Sequence, residues 1–140
     1  MSGSWVLRSA RLEDADDVVE LWRMAEAEPS ITDDPDSVRQ LIAHDCDALI
    51  VADIDGRVVG TVIAGFDGWR GNLYRLAVIP TLRRGGIALA LVAEAEQRLC
   101  ARGIRRVNAL VVTANGGATS FWGAAGYLID TRISRHVKTL

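Results

Sequence analysis

The sequence predicts an α/β protein of the α+β, three-layer kind, a single domain over residues 1–140, and three observations carry that expectation. Short apolar strands and amphipathic helices follow one another in the order β-α-α-β-β-β-α-β-α-β-β. Asp55-Gly56 separates two apolar runs, and that dipeptide supplies the positive φ angles that a two-residue hairpin turn demands. Residues 73–102 combine an apolar strand, Pro80 as its stop, a loop of Arg83, Arg84, Gly85 and Gly86, and a long helix that begins at once.

Each element has a local reason. Trp5 to Ser9 reads as a first strand, and Glu13, Asp14, Asp16 and Asp17 crowd the next helix start, where negative charge complements the dipole. Val18, Leu21, Trp22 and Ala25 then recur with helical spacing and face a core, and Pro29 is expected to end that helix. Asp34 followed by Pro35 is a good helix cap, opening a second helix to about His44 with Val38, Leu41 and Ile42 apolar. Residues 48–54 and 57–66 are the hairpin arms, and the second is apolar on both faces, as a central strand would be. The helix from Gly86 to about Arg102 carries Ala88, Leu91, Val92, Ala95 and Leu99 on one stripe, with Gly103 as its C-cap. A strand over 104–112, a helix capped by Asn115 and closed by Gly126, and a strand pair at about 127–130 and 132–138 complete the chain.

Composition narrows the function classes. Hydrophobic residues make up 49% and charged residues 24% of 140, which suits a folded domain with its own core rather than a disordered chain. A net charge of −2 argues against a nucleic-acid partner, which would call for a basic face. The start of the chain lacks a basic and apolar leader and no run approaches a membrane span, so the expectation is a cytoplasmic protein with no membrane partner. Cys46 and Cys100 lie far apart, outside any ligand cluster; they read as small buried or half-buried thiols, and no metal is expected. His44 and His136 are isolated, and no Ser-His-Asp spacing suggests a hydrolase triad.

The chemistry concentrates at residues 83–89. A helix's first turn leaves backbone N–H groups unpaired at the positive end of the dipole, so an anion placed there satisfies both. Gly85 and Gly86 allow the sharp turn and a close approach. A mononucleotide loop would need Gly-Lys-Ser/Thr where Ile87-Ala88-Leu89 stands, and no G-x-G-x-x-G spacing can be built from these glycines. What remains, Arg83-x-x-Gly86-x-Ala88, resembles the R/Q-x-x-G-x-G/A signature of the GNAT superfamily of N-acetyltransferases. Asn115, Ala118, Phe121, Gly126 and Tyr127 are similar to a second motif of that family, N-x-x-A-x-x-[FL]-Y-x-x-x-G-[FY]. The element order fits over nearly the whole chain, and Val58-x-Gly60-x-Val62 with the turn at Asp67-Gly68-Trp69-Arg70-Gly71 looks like the small single-domain bacterial branch typified by YpeA.

That resemblance implies a central mixed, mostly antiparallel sheet, splayed between its fourth and fifth strands and flanked by four helices. It implies acetyl-CoA as co-substrate, its pyrophosphate on the loop and helix start formed by Arg83, Arg84, Gly85, Gly86, Ile87, Ala88 and Leu89. Leu76, Ala77 and Val78 would pair with the pantetheine amides, the Val78 amide would polarise the thioester, and Asn115 and Phe121 would complete the cofactor site. The acceptor would be a primary amine, on a small molecule or on a peptide or protein, attacking directly in a ternary complex. An ammonium with a pKa near 10 must first lose a proton, and Tyr74 or Asp67 is the candidate base, Tyr74 being read as sharing a strand face with Leu76 and Val78. Trp122 stands where the family has the Tyr that protonates the leaving thiolate. An indole N–H is not a usable acid. The substitution therefore leaves two readings, a slow or water-assisted enzyme and a non-catalytic acyl-CoA-binding or regulatory module, and plain core packing accounts for the residue equally well. The acidic run from Glu26 to Asp36 is either a solvated loop with a helix cap or a lip that draws in a cationic amine. The tail over 134–140 is either an ordinary edge strand or one that pairs with a second copy in a homodimer.

Overall fold

The apolar runs assemble into one five-stranded sheet. The computed structural model describes residues 4–25, 27, 29–112 and 116–140. Its strands are β1 (Val6–Ser9), β2 (Leu49–Ile54), β3 (Arg57–Phe66), β4 (Gly71–Val78) and β5 (Val107–Ala109), and its α-helices are α1 (Ala15–Met24), α2 (Pro35–His44), α3 (Ile87–Ala101) and α4 (Gly116–Ala124). The strands lie in sequence order; the first three pairings are antiparallel and β4 with β5 is parallel, so the sheet is mixed and mostly antiparallel.

Contacts divide the chain into two compact units, residues 1–110 and 111–140. In the first, β3 is the middle strand, and Val58, Val59, Thr61, Val62 and Ala64 are all buried, which accounts for its lack of a polar face. Neighbouring residues of a strand point to opposite faces, and here they meet different helices. Thr61 bonds Trp22 of α1, whereas a Cβ on Gly60 would lie 3.1 Å from Ile87 and 3.2 Å from Leu91 of α3. The sheet is therefore sandwiched, with α1 on one face, α2 packed against α1, and α3 on the other face. Val18, Leu21 and Trp22 of α1 are buried on the first side, with Val38 and Ile42 of α2 buried behind them, and Ile87, Leu91, Val92, Ala95 and Leu99 on the second.

Several elements differ from expectation. α1 stops at Met24, a turn before Pro29, where the Ala25 amide closes the last turn on Leu21. β5 spans three residues rather than 104–112, because β4 bends away from it. Arg75 has a φ of 53° and Val62 faces two residues of β4, since Thr61 pairs with Ala77 and Ile63 with Tyr74. Such a bulge bends and twists a strand. Pairing with β5 accordingly runs from Gly71 to Leu73, ends with the Leu110 amide on the Leu73 carbonyl, and stops.

The second unit holds α4, and its aromatic rings pack edge to face, Trp122 on Phe121 at 5.5 Å and on Tyr127 at 4.9 Å. The expected terminal strand pair does not form among the described residues of 127–140. Asp130 instead turns the chain by accepting from the Arg132 amide, and Leu128, Ile129, Ile133 and Val137 stay exposed. β-Propensity without a ladder partner does not make a strand. Cys46 and Cys100 are exposed, contrary to the buried or half-buried expectation. Among the described residues no helix is long and apolar enough to cross a membrane, and no group of three His, Cys, Asp or Glu could hold a metal ion.

Candidate active site

The loop after β4 forms a helix start without a side-chain cap. Pro80–Leu82 make one tight turn, Arg84 and Gly86 take left-handed φ values of 68° and 88°, and α3 follows directly. Its first intrahelical bond is the Ala90 amide on the Gly86 carbonyl, so the amides before Ala90 have no partner within the helix. Among the described residues no side chain caps this end, and no acidic residue lies in the first turn, whereas α1 carries Asp16 and Asp17 there and α2 has Asp34 bonded to the Ser37 amide. A Cβ on Gly86 would enter open space, and one on Gly85 would meet only the Leu82 carbonyl at 3.2 Å. Ile87 is buried and anchors the helix beneath, Ala88 is half-buried, and Leu89 is exposed, so these three offer amides rather than polar side chains.

The two arginines of the loop part company. Arg83 turns inward, donating to the Ala25 carbonyl at 3.0 Å and the Val78 carbonyl at 3.4 Å. It ties the loop to the C-terminal end of α1, a favourable place for a cation. Among the described residues Arg84 forms no hydrogen bond or ion pair, and its charge is available beside the open helix start.

The second component is a strand edge. Beyond Leu73 no strand pairs with β4 on the side of β5 among the described residues, leaving the backbone of Leu76, Ala77 and Val78 paired with β3 alone. Their side chains are half-buried or buried, which holds the edge in place. An open edge ending in an uncapped helix start can hold an extended, amide-bearing chain whose far end is anionic.

The candidate bases are placed differently. The bulge breaks the alternation of β4, so Tyr74, paired with Ile63, shares its face with Ala77, paired with Thr61, and not with Leu76 and Val78. Tyr74 stays at the start of the open edge and is partly exposed. Asp67 lies in the turn joining β3 to β4, and its Oδ1 accepts from the amides of Arg70 at 2.7 Å and Trp69 at 2.8 Å. Those two bonds hold its carboxyl below the usual aspartate range and make it a weak base. It stands at the closed end of the β4–β5 pair, roughly 20 Å of strand from Val78.

In the acidic run, Asp33 binds Arg75 at 2.7 and 2.8 Å, Asp34 caps α2, and Asp36 pairs with Arg39 at 2.8 Å. These three carboxylates are committed, which favours the structural reading over an amine-attracting lip; Glu26 and Glu28 lie outside the described residues. Asn115 also lies outside them. Phe121 is half-buried in the second unit, and Trp122 is buried against Phe121 and Tyr127. Sequence reasoning missed Thr61 and Arg75, although each was visible as a lone polar residue in an apolar run. Thr61 bonds both Trp22 and the Arg75 carbonyl, at 2.9 Å each.

Comparison with known proteins bears on the family and the fold. An acetyltransferase of Photorhabdus laumondii is 39% identical over 116 residues, covering 82% of this chain and 80% of its own. One from Sodalis glossinidius is 34% identical over 121 residues, covering 86% and 85%. Among solved structures, the PaiA N-acetyltransferase of Thermoplasma acidophilum in complex with coenzyme A superposes with a TM-score of 0.79 at 18% identity, over 91% of both chains. Ard1 of Thermoplasma volcanium gives 0.81 at 20% identity, over 91% of this chain and 84% of its own, and at such identities the likeness shows the shared fold. The model of the acetyltransferase (GNAT) family matches residues 15–127, so this chain belongs to the GNAT family of acetyltransferases.

Proposed function

We propose that the chain is an acetyl-CoA-dependent N-acetyltransferase that acetylates a primary amine by direct attack in a ternary complex. The domain is taken as residues 1–140 together, since the family match runs across both compact units. The observation that carries the proposal is the junction of the open β4 edge with the uncapped start of α3. When bound, the coenzyme supplies an acetyl group activated as a thioester. The amides at the start of α3, with Arg84 beside them, would hold the pyrophosphate, and Leu76–Val78 would pair with the pantetheine arm. The backbone of Val78 would polarise the thioester oxygen. Asn115 and Phe121 are assigned to the same coenzyme by the family motif.

For proton removal we assign Tyr74 ahead of Asp67, directly or through water. Tyr74 stands on the open edge, whereas Asp67 is occupied by two amides at the far end of the strand. The choice of acceptor class is supported by structures of the same fold, among them an aminoglycoside acetyltransferase in complex with sisomicin and another with a CoA-acetylneamine bisubstrate analogue. A small polycationic amine is the first to try, and a peptide or protein amine the second. A homodimer and a cytoplasmic location remain part of the proposal.

Calorimetry with acetyl-CoA and thiol release over a panel of amines test it, saturable binding and turnover of at least one amine being expected. Absence of binding would overturn it. One observation favours a second reading: Trp122 sits in an aromatic cluster at the position of the usual acid. Tight acetyl-CoA binding without turnover of any amine would establish a non-catalytic acyl-CoA-binding or regulatory module.

A further inference from the structure

The bulge in β4 is held in place by a chain of groups, Thr61 and Trp22 buried and Arg75 and Asp33 half-buried, that the proposed reaction does not otherwise use. Arg75 sits at a φ of 53°, a left-handed backbone that costs a non-glycine residue about 1–3 kcal/mol unless its surroundings impose it. Here they impose it from two directions. Thr61 is wholly buried in a run of apolar residues, and its hydroxyl lies 2.9 Å from the Arg75 carbonyl and 2.9 Å from Trp22 Nε1. An indole N–H can only donate, so Thr61 Oγ1 accepts from Trp22 and its one proton goes to the Arg75 carbonyl. On the other side the Arg75 guanidinium grips both oxygens of Asp33, at 2.8 and 2.7 Å, and lies 5.4 Å from the centre of the Trp22 ring.

The bulge is what parts β4 from β5, because their pairing ends at Leu73, two residues before Arg75. It also resets which way the backbone of Leu76–Val78 points. Resting on the coenzyme reading above, we propose that Thr61, its hydroxyl oriented by Trp22, is a positioning residue that fixes the bulge and so aims the open edge at the thioester carbonyl. Valine at 61 would suit the apolar strand as well; the hydroxyl is needed to take up the carbonyl that the bulge turns out of the ladder.

The test reads the carbonyl rather than the turnover, so no acceptor is required. Acetyl-CoA carrying a 13C carbonyl is bound to the full chain and followed by difference infrared spectroscopy, with calorimetry alongside. In the parent protein the carbonyl band is expected to move down on binding. Thr61→Val is expected to lose at least half of that displacement while the dissociation constant stays within about threefold, a change well under 1 kcal/mol. Thr61→Ser, which keeps the hydroxyl, is expected to restore it. Should Thr61→Val fail to fold, Trp22→Phe frees the hydroxyl to rotate and is expected to lose part of the displacement.

A purely structural role would lower the melting temperature and leave the band where it was. An unchanged band in Thr61→Val or Trp22→Phe, or no displacement in the parent protein, overturns the proposal. No binding of acetyl-CoA by the parent protein fails the coenzyme reading instead, and the calorimetry distinguishes the two.

Discussion

Gly86 has two reasons to be glycine, and they can be separated. Its φ of 88° strains any L side chain, and the direction a Cβ would take is open rather than filled by protein. Gly86→Val is therefore expected to weaken acetyl-CoA binding by about tenfold or more by calorimetry, at a stability cost of roughly 1–3 kcal/mol from backbone strain alone. Affinity unchanged in the folded variant would remove the anion from this loop. At Trp122 the expected change is a gain. Trp122→Tyr offers an acid, and since proton donation is typically worth about 10²–10⁴-fold, a rate increase of at least about tenfold, lost at high pH as the phenol ionises, is expected if the missing acid limits turnover. A slower enzyme would mean that the ring serves packing against Phe121 and Tyr127. Residue chemistry was legible where it depended on neighbours in sequence: the Asp34 cap forms as read, and Gly86 takes the left-handed φ that the loop's turn was expected to need, with Arg84 rather than Gly85 as the second such residue. Asp67 and Tyr74 were harder to place, because a turn amide and a bulge decided their surroundings.

The central hairpin and its turn were legible as elements because Asp55-Gly56 and two long apolar arms leave little alternative. β3 forms over residues 57–66, as its pattern predicts, and α3 over Ile87–Ala101. β5 and the tail were not, since a strand exists only where a partner accepts its hydrogen bonds. Val107–Ala109 is apolar at its ends and short because β4 leaves it, a fact set by Thr61, Trp22 and Asp33, residues distant in sequence from the bulge they impose. Element order and helix faces could be read from periodicity; the opening of the sheet could be expected only from family resemblance.

Stability of the whole chain should depend on acid in a defined direction. Burial works against the charge of Asp14, but its bonds to Arg8 and to the Arg11 amide outweigh that and hold its carboxyl below the usual range. Arg102 does the same for Asp45, and Ser37 for Asp34. Groups that titrate lower when folded lend stability that is complete above the unfolded value of about 3.9 and disappears as pH falls through the folded values. Scanning calorimetry is expected to show a melting temperature that is flat above about pH 5 and falls steeply below about pH 4. A transition insensitive to pH down to 3 would contradict these assignments.

Gly60 and Thr61 face opposite layers of the molecule, and the first bears on the coenzyme as directly as the second. Ile87 opens the cradle helix and rests on Gly60, where even a methyl group would come within 3.1 Å of it and 3.3 Å of the Ala77 carbonyl. Gly60→Ala should therefore lift the helix start away from the sheet and loosen acetyl-CoA several-fold by calorimetry, roughly 1 kcal/mol, from a position that faces Ile87 and Leu91 rather than the open loop. On the proposed site, the height of the coenzyme would be set from underneath, by the side chain that β3 leaves out at Gly60.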